Sequence, residues 1–140
     1  MKKEDYMHNV LTDKVIKVFY RVYNNLGFGF LEKVNENAMA IELLIDGLNI
    51  KTQQSIKVYY KNREVGFYVA DIIVNNHVIV EIKAAETICE EHEAQLLNYL
   101  KATDIEVGLL LNFGKKAQIK RKVYSQEFKP LSTKKPPDNH

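Results

Sequence analysis

Two neighbouring apolar segments in the middle of the chain constrain its fold more than any other feature. Residues 66–74 and 77–83 are rich in β-branched side chains, and Asn75-Asn76 stands between them. Asparagine tolerates the left-handed backbone conformation that tight turns require. The two segments therefore predict a β-hairpin with largely apolar strands.

Three charged residues interrupt this apolar hairpin. Asp71 lies inside the first strand, and Glu81 and Lys83 follow directly on the apolar residues 78–80. A buried carboxylate lowers stability unless it is paired with a cation, hydrogen-bonded or bound to a metal ion. The three charges therefore mark the hairpin as the candidate functional site.

The length of the hairpin loop decides whether these charges share one face of the sheet. Glu81 and Lys83 are two residues apart and point to the same face. A three-residue loop (residues 75–77) places Asp71 opposite Glu81, whereas a two-residue loop turns Asp71 to the other face. The three-residue register is favoured because it also gathers six apolar residues on one face: Ala70, Ile72, Val74, Val78, Val80 and Ile82.

Two adjacent carboxylates are typical of a site for a hard metal ion. The carboxylates of Asp71 and Glu81 repel each other unless a cation lies between them. Oxygen ligands from two strands suit Mg²⁺ or Mn²⁺, and a lysine beside such an ion can orient a water for phosphodiester hydrolysis. A structural salt bridge to Lys83 is the alternative, and these residues alone leave both interpretations open. The second acidic-x-Lys motif, at residues 127–129, lacks a buried aspartate upstream.

Apolar residues at helical spacing predict two helices before the hairpin. The first helix ends at Gly27 and Gly29, and its stripe contains Leu11, Val15, Val18, Phe19, Val22 and Leu26. The second covers about residues 31–46 and ends at Gly47. One face of the second helix carries Leu31, Val34, Ala38, Ile41 and Ile45.

The remaining segments predict an α/β fold, in which helices flank a mixed sheet. Residues from 49 onward alternate as a strand, residues 90–102 predict a helix, and the apolar residues 107–111 predict a strand buried on both faces. Residues 119–124 fit either a strand or a helix. We expect one domain over residues 1–128 and a flexible tail over residues 129–140.

Composition limits the class of protein without naming a partner. The chain has 140 residues, 27% of them charged, and a net charge of +2, which fits one soluble domain. Cys89 is the single cysteine, which favours a reducing cytoplasm, and no signal peptide or membrane span is expected. The densest basic stretch is a candidate phosphate-binding surface and consists of Lys115, Lys116, Lys120, Arg121 and Lys122.

Several motifs in order resemble the PD-(D/E)XK nuclease superfamily. They are Asp71, then Glu81-Ile82-Lys83, then Gln95-Leu96-Leu97-Asn98-Tyr99. Gly29-Phe30-Leu31-Glu32 resembles, more narrowly, the bacterial GxxExxY proteins of that superfamily, although Asn35 stands where the signature tyrosine would be. The resemblance covers about residues 26–124 and implies a restriction-endonuclease-like fold.

The resemblance also implies roles for five residues. Asp71 and Glu81 would be the main metal ligands, and Glu32 would reach the metal directly or through water. Lys83 would position or activate the attacking water, and Gln95 would be an accessory polar residue on the next helix. The implied activity is hydrolysis of DNA by metal-activated water with Mg²⁺ or Mn²⁺, RNA being an alternative substrate.

Two other functions are compatible with the same fold. One is a nucleic-acid-binding module without catalysis, and the other is a structural or regulatory homodimer. The presence of Asp71, Glu81 and Lys83 together favours the nuclease, because a degenerate site is expected to have lost one of them.

Overall fold

The predicted order of helices and strands is present in the computed structural model, which describes residues 8–129 and 133–136. The helices are α1 (Asn9–Leu26), α2 (Glu32–Ile45) and α3 (Glu90–Lys101). The strands are β1 (Ile50–Tyr60), β2 (Arg63–Val74), β3 (Val78–Lys83), β4 (Val107–Phe113) and β5 (Ala117–Val123), followed by a 3-10 turn (Gln126–Phe128). The segment left open by the sequence is therefore a strand.

The five strands form one mixed sheet in the order β1-β2-β3-β4-β5. β3 and β4 pair in parallel, while the other neighbouring strands pair antiparallel. α3 makes the crossover between the two parallel strands, as parallel pairing requires. The predicted α/β class, a mixed sheet flanked by helices, is confirmed.

The sheet separates two hydrophobic cores. α1 and α2 cover one face, where the core includes Phe19, Met39, Leu43, Ile72 and Phe113. α3 covers the other face, where the core consists of Ile56, Ala70, Ile79, Leu96, Tyr99, Leu100 and Leu110. Because β4 lies between both cores, each of its residues is buried, as predicted for residues 107–111.

The hairpin of β2 and β3 has the predicted three-residue loop. Val74 pairs with Val78, and Ile72 pairs with Val80. Asn75 and Asn76 adopt positive φ angles of 51° and 58°, which asparagine tolerates better than most residues. The register that places Asp71 opposite Glu81 is therefore confirmed.

One residue of the predicted apolar hairpin face lies elsewhere. Ala70 packs in the α3 core, whereas the other five residues of that face pack in the core beneath α1 and α2. The ladder between β1 and β2 is interrupted at Asp71, opposite Gln53, whose φ of 51° is left-handed. Regular alternation does not continue through this irregularity, so the prediction for Ala70 is wrong.

α2 buries the face opposite to its apolar stripe. Its buried residues are Asn35, Glu36, Met39 and Leu43. The stripe is largely exposed, with 60% of Ile41 and 70% of Ile45 accessible to solvent. An apolar stripe on a helix ordinarily faces the core, so this helix is rotated away from the orientation that its pattern favours.

Polar contacts on both sides of α2 stabilise this rotation. Arg21 of α1 donates hydrogen bonds to Glu42 and Asp46, at 2.9 and 3.1 Å. On the other side, the Gln53 amide of β1 donates a 2.7 Å hydrogen bond to the buried Glu36. The buried side of the helix therefore carries the charged Glu36 together with the core residues Met39 and Leu43.

The described part of the predicted tail contacts the domain. The ammonium group of Lys129 donates hydrogen bonds to the carbonyl oxygens of Thr103 and Ile105, and Lys134 pairs with Asp104 at 3.3 Å. This part of the tail is held against the α3–β4 loop; residues 130–132 and 137–140 lie outside the described residues. No helix within residues 8–129 and 133–136 is long and apolar enough to cross a membrane.

The rotation of α2 predicts unequal effects of two similar substitutions. Leu43→Ala removes a fully buried side chain and should lower the free energy of unfolding by about 2–5 kcal/mol. Ile41→Ala, on the exposed side of the same helix, should change it by less than about 0.5 kcal/mol. Denaturant unfolding of both variants measures the difference, and equal destabilisation would contradict the observed rotation.

Candidate metal centre

The backbone pairing of β2 with β3 ends at Ile72 and Val80. Beyond this point, the side chains of Asp71 and Glu81 form the hydrogen bonds between the two strands. The backbone N–H of Asp71 donates a hydrogen bond to Oε1 of Glu81, at 2.9 Å. The backbone N–H of Ile82 donates one to Oδ2 of Asp71, at 2.8 Å. Each carboxylate therefore binds the partner strand's backbone, and the two carboxyl groups are held side by side.

The environment of the pair disfavours two negative charges. Burial raises the pKa of Glu81 to about 8, and the charge of Asp71 and a hydrogen bond between the two carboxyl groups act in the same direction. Burial also raises the pKa of Asp71, as do the charges of Glu36 and, less strongly, Glu32. Without a cation, the pair therefore retains a proton near neutral pH.

This donor set fits a hard divalent ion. A metal ion between Asp71 and Glu81 would offset the repulsion that raises both pKa values. Within the described residues, no group of three or more His, Cys, Asp or Glu side chains is placed to hold a metal. Two carboxylates with the remaining positions taken by water is the coordination that Mg²⁺ commonly adopts in proteins.

Lys83 and Gln95 lie beside the carboxylate pair. The Lys83 ammonium donates a 3.2 Å hydrogen bond to Oε1 of Gln95 on α3. The positive charge of Lys83 opposes the rise in pKa of both Asp71 and Glu81. The structure thus brings together four of the five residues named by the motif, from β2, β3 and α3.

Glu32 lies at the start of α2 and is exposed, one helical turn before a buried glutamate that the sequence reasoning missed. Glu36 is 4% exposed, and it accepts hydrogen bonds from Gln53 at 2.7 Å and Lys33 at 2.9 Å. Its charge acts on the pKa of Asp71 more strongly than that of Glu32. In the sequence, the position of Glu36 four residues after Glu32, on the same helix face, was the feature that could have identified it.

Tyr99 forms a further part of the surroundings. Its pKa is raised by burial and by the negative charges of Glu81 and Asp71. Its ring packs against Tyr68, with 5.3 Å between centroids. The phenol of Tyr99 therefore lies in the electrostatic field of the carboxylate pair.

The loop between β3 and α3 is fixed by side chains of β4 and β5. The Asn112 amide accepts a hydrogen bond from the backbone N–H of Ala85 and donates one to its carbonyl oxygen, at 2.9 and 3.0 Å. Oε1 of Gln118 accepts a 3.2 Å hydrogen bond from the N–H of Ile88. These contacts fix the path from Lys83 to the helix that carries Gln95.

The five basic residues predicted to bind phosphates do not form one surface. Lys120 and Lys122 alternate with Arg121 along β5, so they point to the opposite face of the sheet from it. Lys122 forms an ion pair with Glu93 of α3. Lys115 and Lys116 lie in the turn after β4, where both are exposed.

The raised pKa of Glu81 predicts a pH dependence of stability in metal-free protein. Between its ordinary value of 4.5 and about 8, the native state keeps a proton that the unfolded state has lost. The free energy of unfolding should therefore fall as pH rises, by up to about 1.4 kcal/mol per pH unit. Thermal melting in EDTA between pH 5 and 7.5 measures this slope.

Two controls separate the site from the rest of the molecule. Glu81→Gln should flatten the dependence of stability on pH because it removes the titrating group. An unchanged slope in Glu81→Gln would show that the proton is held elsewhere.

Binding of Mg²⁺ should raise the melting temperature of the wild type at pH 7.5, since a ligand of the native state stabilises it. Asp71→Asn should abolish that rise.

Comparison with known proteins identifies the superfamily of the chain. A search of curated proteins finds no match. The solved structure entitled "Crystal structure of SSO0001" is similar, with a TM-score of 0.51 and 19% sequence identity over 65% of this chain and 48% of that chain. This likeness covers about half of SSO0001 and concerns the fold alone. A family model described as PD-(D/E)XK nuclease superfamily matches residues 9–122, from α1 into β5, so the chain belongs to the PD-(D/E)XK nuclease superfamily.

Proposed function

We propose that this chain is a Mg²⁺- or Mn²⁺-dependent nuclease that hydrolyses DNA phosphodiester bonds. The observation that carries the proposal is the pair formed by half-buried Asp71 and buried Glu81, with Lys83 hydrogen-bonded to Gln95 beside it. A structural salt bridge would direct Lys83 to a carboxylate, whereas its ammonium binds a neutral amide. We also propose membership of the GxxExxY group, supported by Gly29 and Glu32.

The contacts suggest a role for each residue of the site. Asp71 and Glu81 would hold the ion, and Glu32 would reach it through water from α2. When bound, Mg²⁺ or Mn²⁺ supplies Lewis-acid stabilisation of the phosphate charge and lowers the pKa of a water. Lys83 would orient the attacking water and offset developing negative charge. Gln95 would keep the lysine in position through the 3.2 Å hydrogen bond.

The buried pair also distinguishes catalysis from binding alone. A module that only binds nucleic acid gains nothing from two carboxylates that would repel phosphates. Retaining them in a buried position lowers stability, which a catalytic ion would offset. We place this activity in the cytoplasm, where Cys89 would stay reduced.

Removal of the Lys83 amine tests the nuclease proposal. Lys83→Ala should lower the rate of cleavage by about 10²-fold or more, because one group that stabilises transition-state charge is lost. Lys17→Ala, an exposed lysine on α1, is the matched control and should cleave at the wild-type rate. Labelled single-stranded, duplex and RNA substrates with Mg²⁺, Mn²⁺ or EDTA supply the measurement.

The same assay contains results that would reject the proposal. Tight DNA binding without cleavage under any metal would assign the chain to the binding modules. Cleavage that persists in EDTA, or equal activity of Lys83→Ala and Lys17→Ala, would remove the proposed mechanism.

We further propose that two copies of the chain associate through α2. The exposed stripe of this helix includes Ile41, Leu44 and Ile45, and contiguous exposed apolar surface of this kind is typical of an interaction site. Arg21 pairs with Glu42 and Asp46 at the border of the stripe, so two copies can approach without strong like-charge repulsion. A twofold axis would place the same surface on both sides of the interface.

Light scattering of the full chain tests this association. The wild type should have the mass of a dimer at micromolar concentration, and Ile41→Lys with Ile45→Lys should yield a folded monomer whose melting temperature no longer depends on protein concentration. Val65→Lys, which places the same charge on the equally exposed β1–β2 hairpin, should remain dimeric. A monomeric wild type would exclude the interface.

A further inference from the structure

A cleft of about 440 Å³ opens where β3 and β4 end, and its lining begins one residue after Lys83 and includes Glu32. Three loops enclose it: the α1–α2 loop with the start of α2, the residues after β3, and the turn after β4. Its volume lies within the usual range of pockets that bind small ligands. The cleft is therefore large enough for one flat heterocycle.

The position of the cleft connects it to the proposed chemistry. β3 and β4 run in parallel, so the segments that follow them meet at one edge of the sheet. Ala84 and Ala85, which immediately follow Lys83, form one wall, and Glu32 lies on another. A nucleotide adjoining a phosphate at the metal centre would therefore have its base within reach of this cleft.

The side chains around the cleft suit an uncharged aromatic ligand. Phe28 and Phe30 are 55% and 47% exposed, although aromatic side chains are ordinarily buried. Gly27 and Gly29, with φ angles of 71° and 103°, let the loop present both rings. Aromatic faces displayed in this way bind nucleobases by stacking, irrespective of sequence.

The charges around the cleft disfavour a phosphate inside it. Its lining includes the carboxylates of Glu32 and Glu86, against the single ammonium group of Lys115. A phosphate in the interior would meet net negative charge, whereas a neutral base would not. Lys115, which is exposed, can bind a phosphate that flanks the base.

The wall formed by the turn after β4 is held in place. The Tyr23 hydroxyl, from α1, lies 2.6 and 2.9 Å from the carbonyl oxygens of Gly114 and Lys115, and its single proton is shared between these two acceptors. A Cβ atom at Gly114 would lie 2.3 Å from the carbonyl oxygen of Ala85, so only glycine allows the two walls to approach this closely. The cleft is therefore a preformed feature of the fold.

We propose that this cleft receives one unpaired nucleobase of the DNA strand whose phosphate lies at the metal centre. The proposal rests on the nuclease function proposed above and specifies its substrate class. A base can stack on Phe28 and Phe30 only when it is outside a duplex, so the protein selects single-stranded or locally unpaired DNA.

Binding to a fluorescein-labelled oligodeoxynucleotide tests the proposal independently of cleavage. Fluorescence anisotropy is measured in Mg²⁺ with Lys83→Ala as the background. Phe28→Ala with Phe30→Ala should raise the Kd for the single strand by about tenfold, because base–aromatic stacking is lost. The Kd for a blunt duplex of the same sequence should change by less than about twofold. Phe128→Ala removes a similarly exposed ring on the 3-10 turn and is the matched control.

An abasic scan locates the base that enters the cleft. With both phenylalanines present, an abasic site at one position of the oligonucleotide should raise the Kd by about as much as the double substitution does. In the double variant, the same abasic site should raise the Kd little further, because both changes remove the same stacking contact. The double variant should keep its melting temperature, since both rings are exposed.

The outcomes separate this inference from the proposed function. If the single strand binds and is cut, but the double variant binds like Phe128→Ala, the cleft is not the base site and the nuclease proposal stands. Equal loss of affinity for single strand and duplex would also overturn the base site. If no oligonucleotide binds and none is cut, both proposals are wrong.

Discussion

The two reciprocal hydrogen bonds between Asp71 and Glu81 and the partner backbones are the interaction on which the site depends. They satisfy the backbone donors where the β2–β3 ladder ends, so the strands separate without leaving those N–H groups unpaired. They also hold two carboxyl groups together in a buried environment, which raises both pKa values. The hydrogen bonds themselves favour the charged carboxylates, but burial and the repulsion between neighbouring negative charges outweigh them, so the pair favours a bound cation.

The parallel pairing of β3 and β4 organises what surrounds that pair. The crossover through α3 brings Gln95 to the side chain of Lys83. Asn112 holds the intervening loop through both polar groups of Ala85. The buried amide of Asn112 in β4 thus helps to fix the loop that connects Lys83 to α3.

α2 connects the site to the outside of the molecule. Its buried side supplies Glu36, which forms an ion pair with Lys33 and accepts a hydrogen bond from the Gln53 amide, and whose charge raises the pKa of Asp71. Its opposite side leaves an apolar stripe exposed. A helix that buries a charged residue and exposes Ile41 and Ile45 is stabilised by specific polar contacts rather than by hydrophobic pattern alone, and it leaves surface available for a partner.

The sequence by itself determined the order of elements up to β4, and it favoured the hairpin register that brings Asp71 and Glu81 together. These follow from local rules, namely strand alternation, turn chemistry and the cost of burying an unpaired carboxylate. Only the tertiary structure decided the rotation of α2, the burial of Glu36, the transfer of Ala70 to the α3 core and the separation of the basic residues. The physical reason is that each depends on contacts between segments distant in the chain, such as Gln53 with Glu36 and Lys122 with Glu93, which no local pattern encodes.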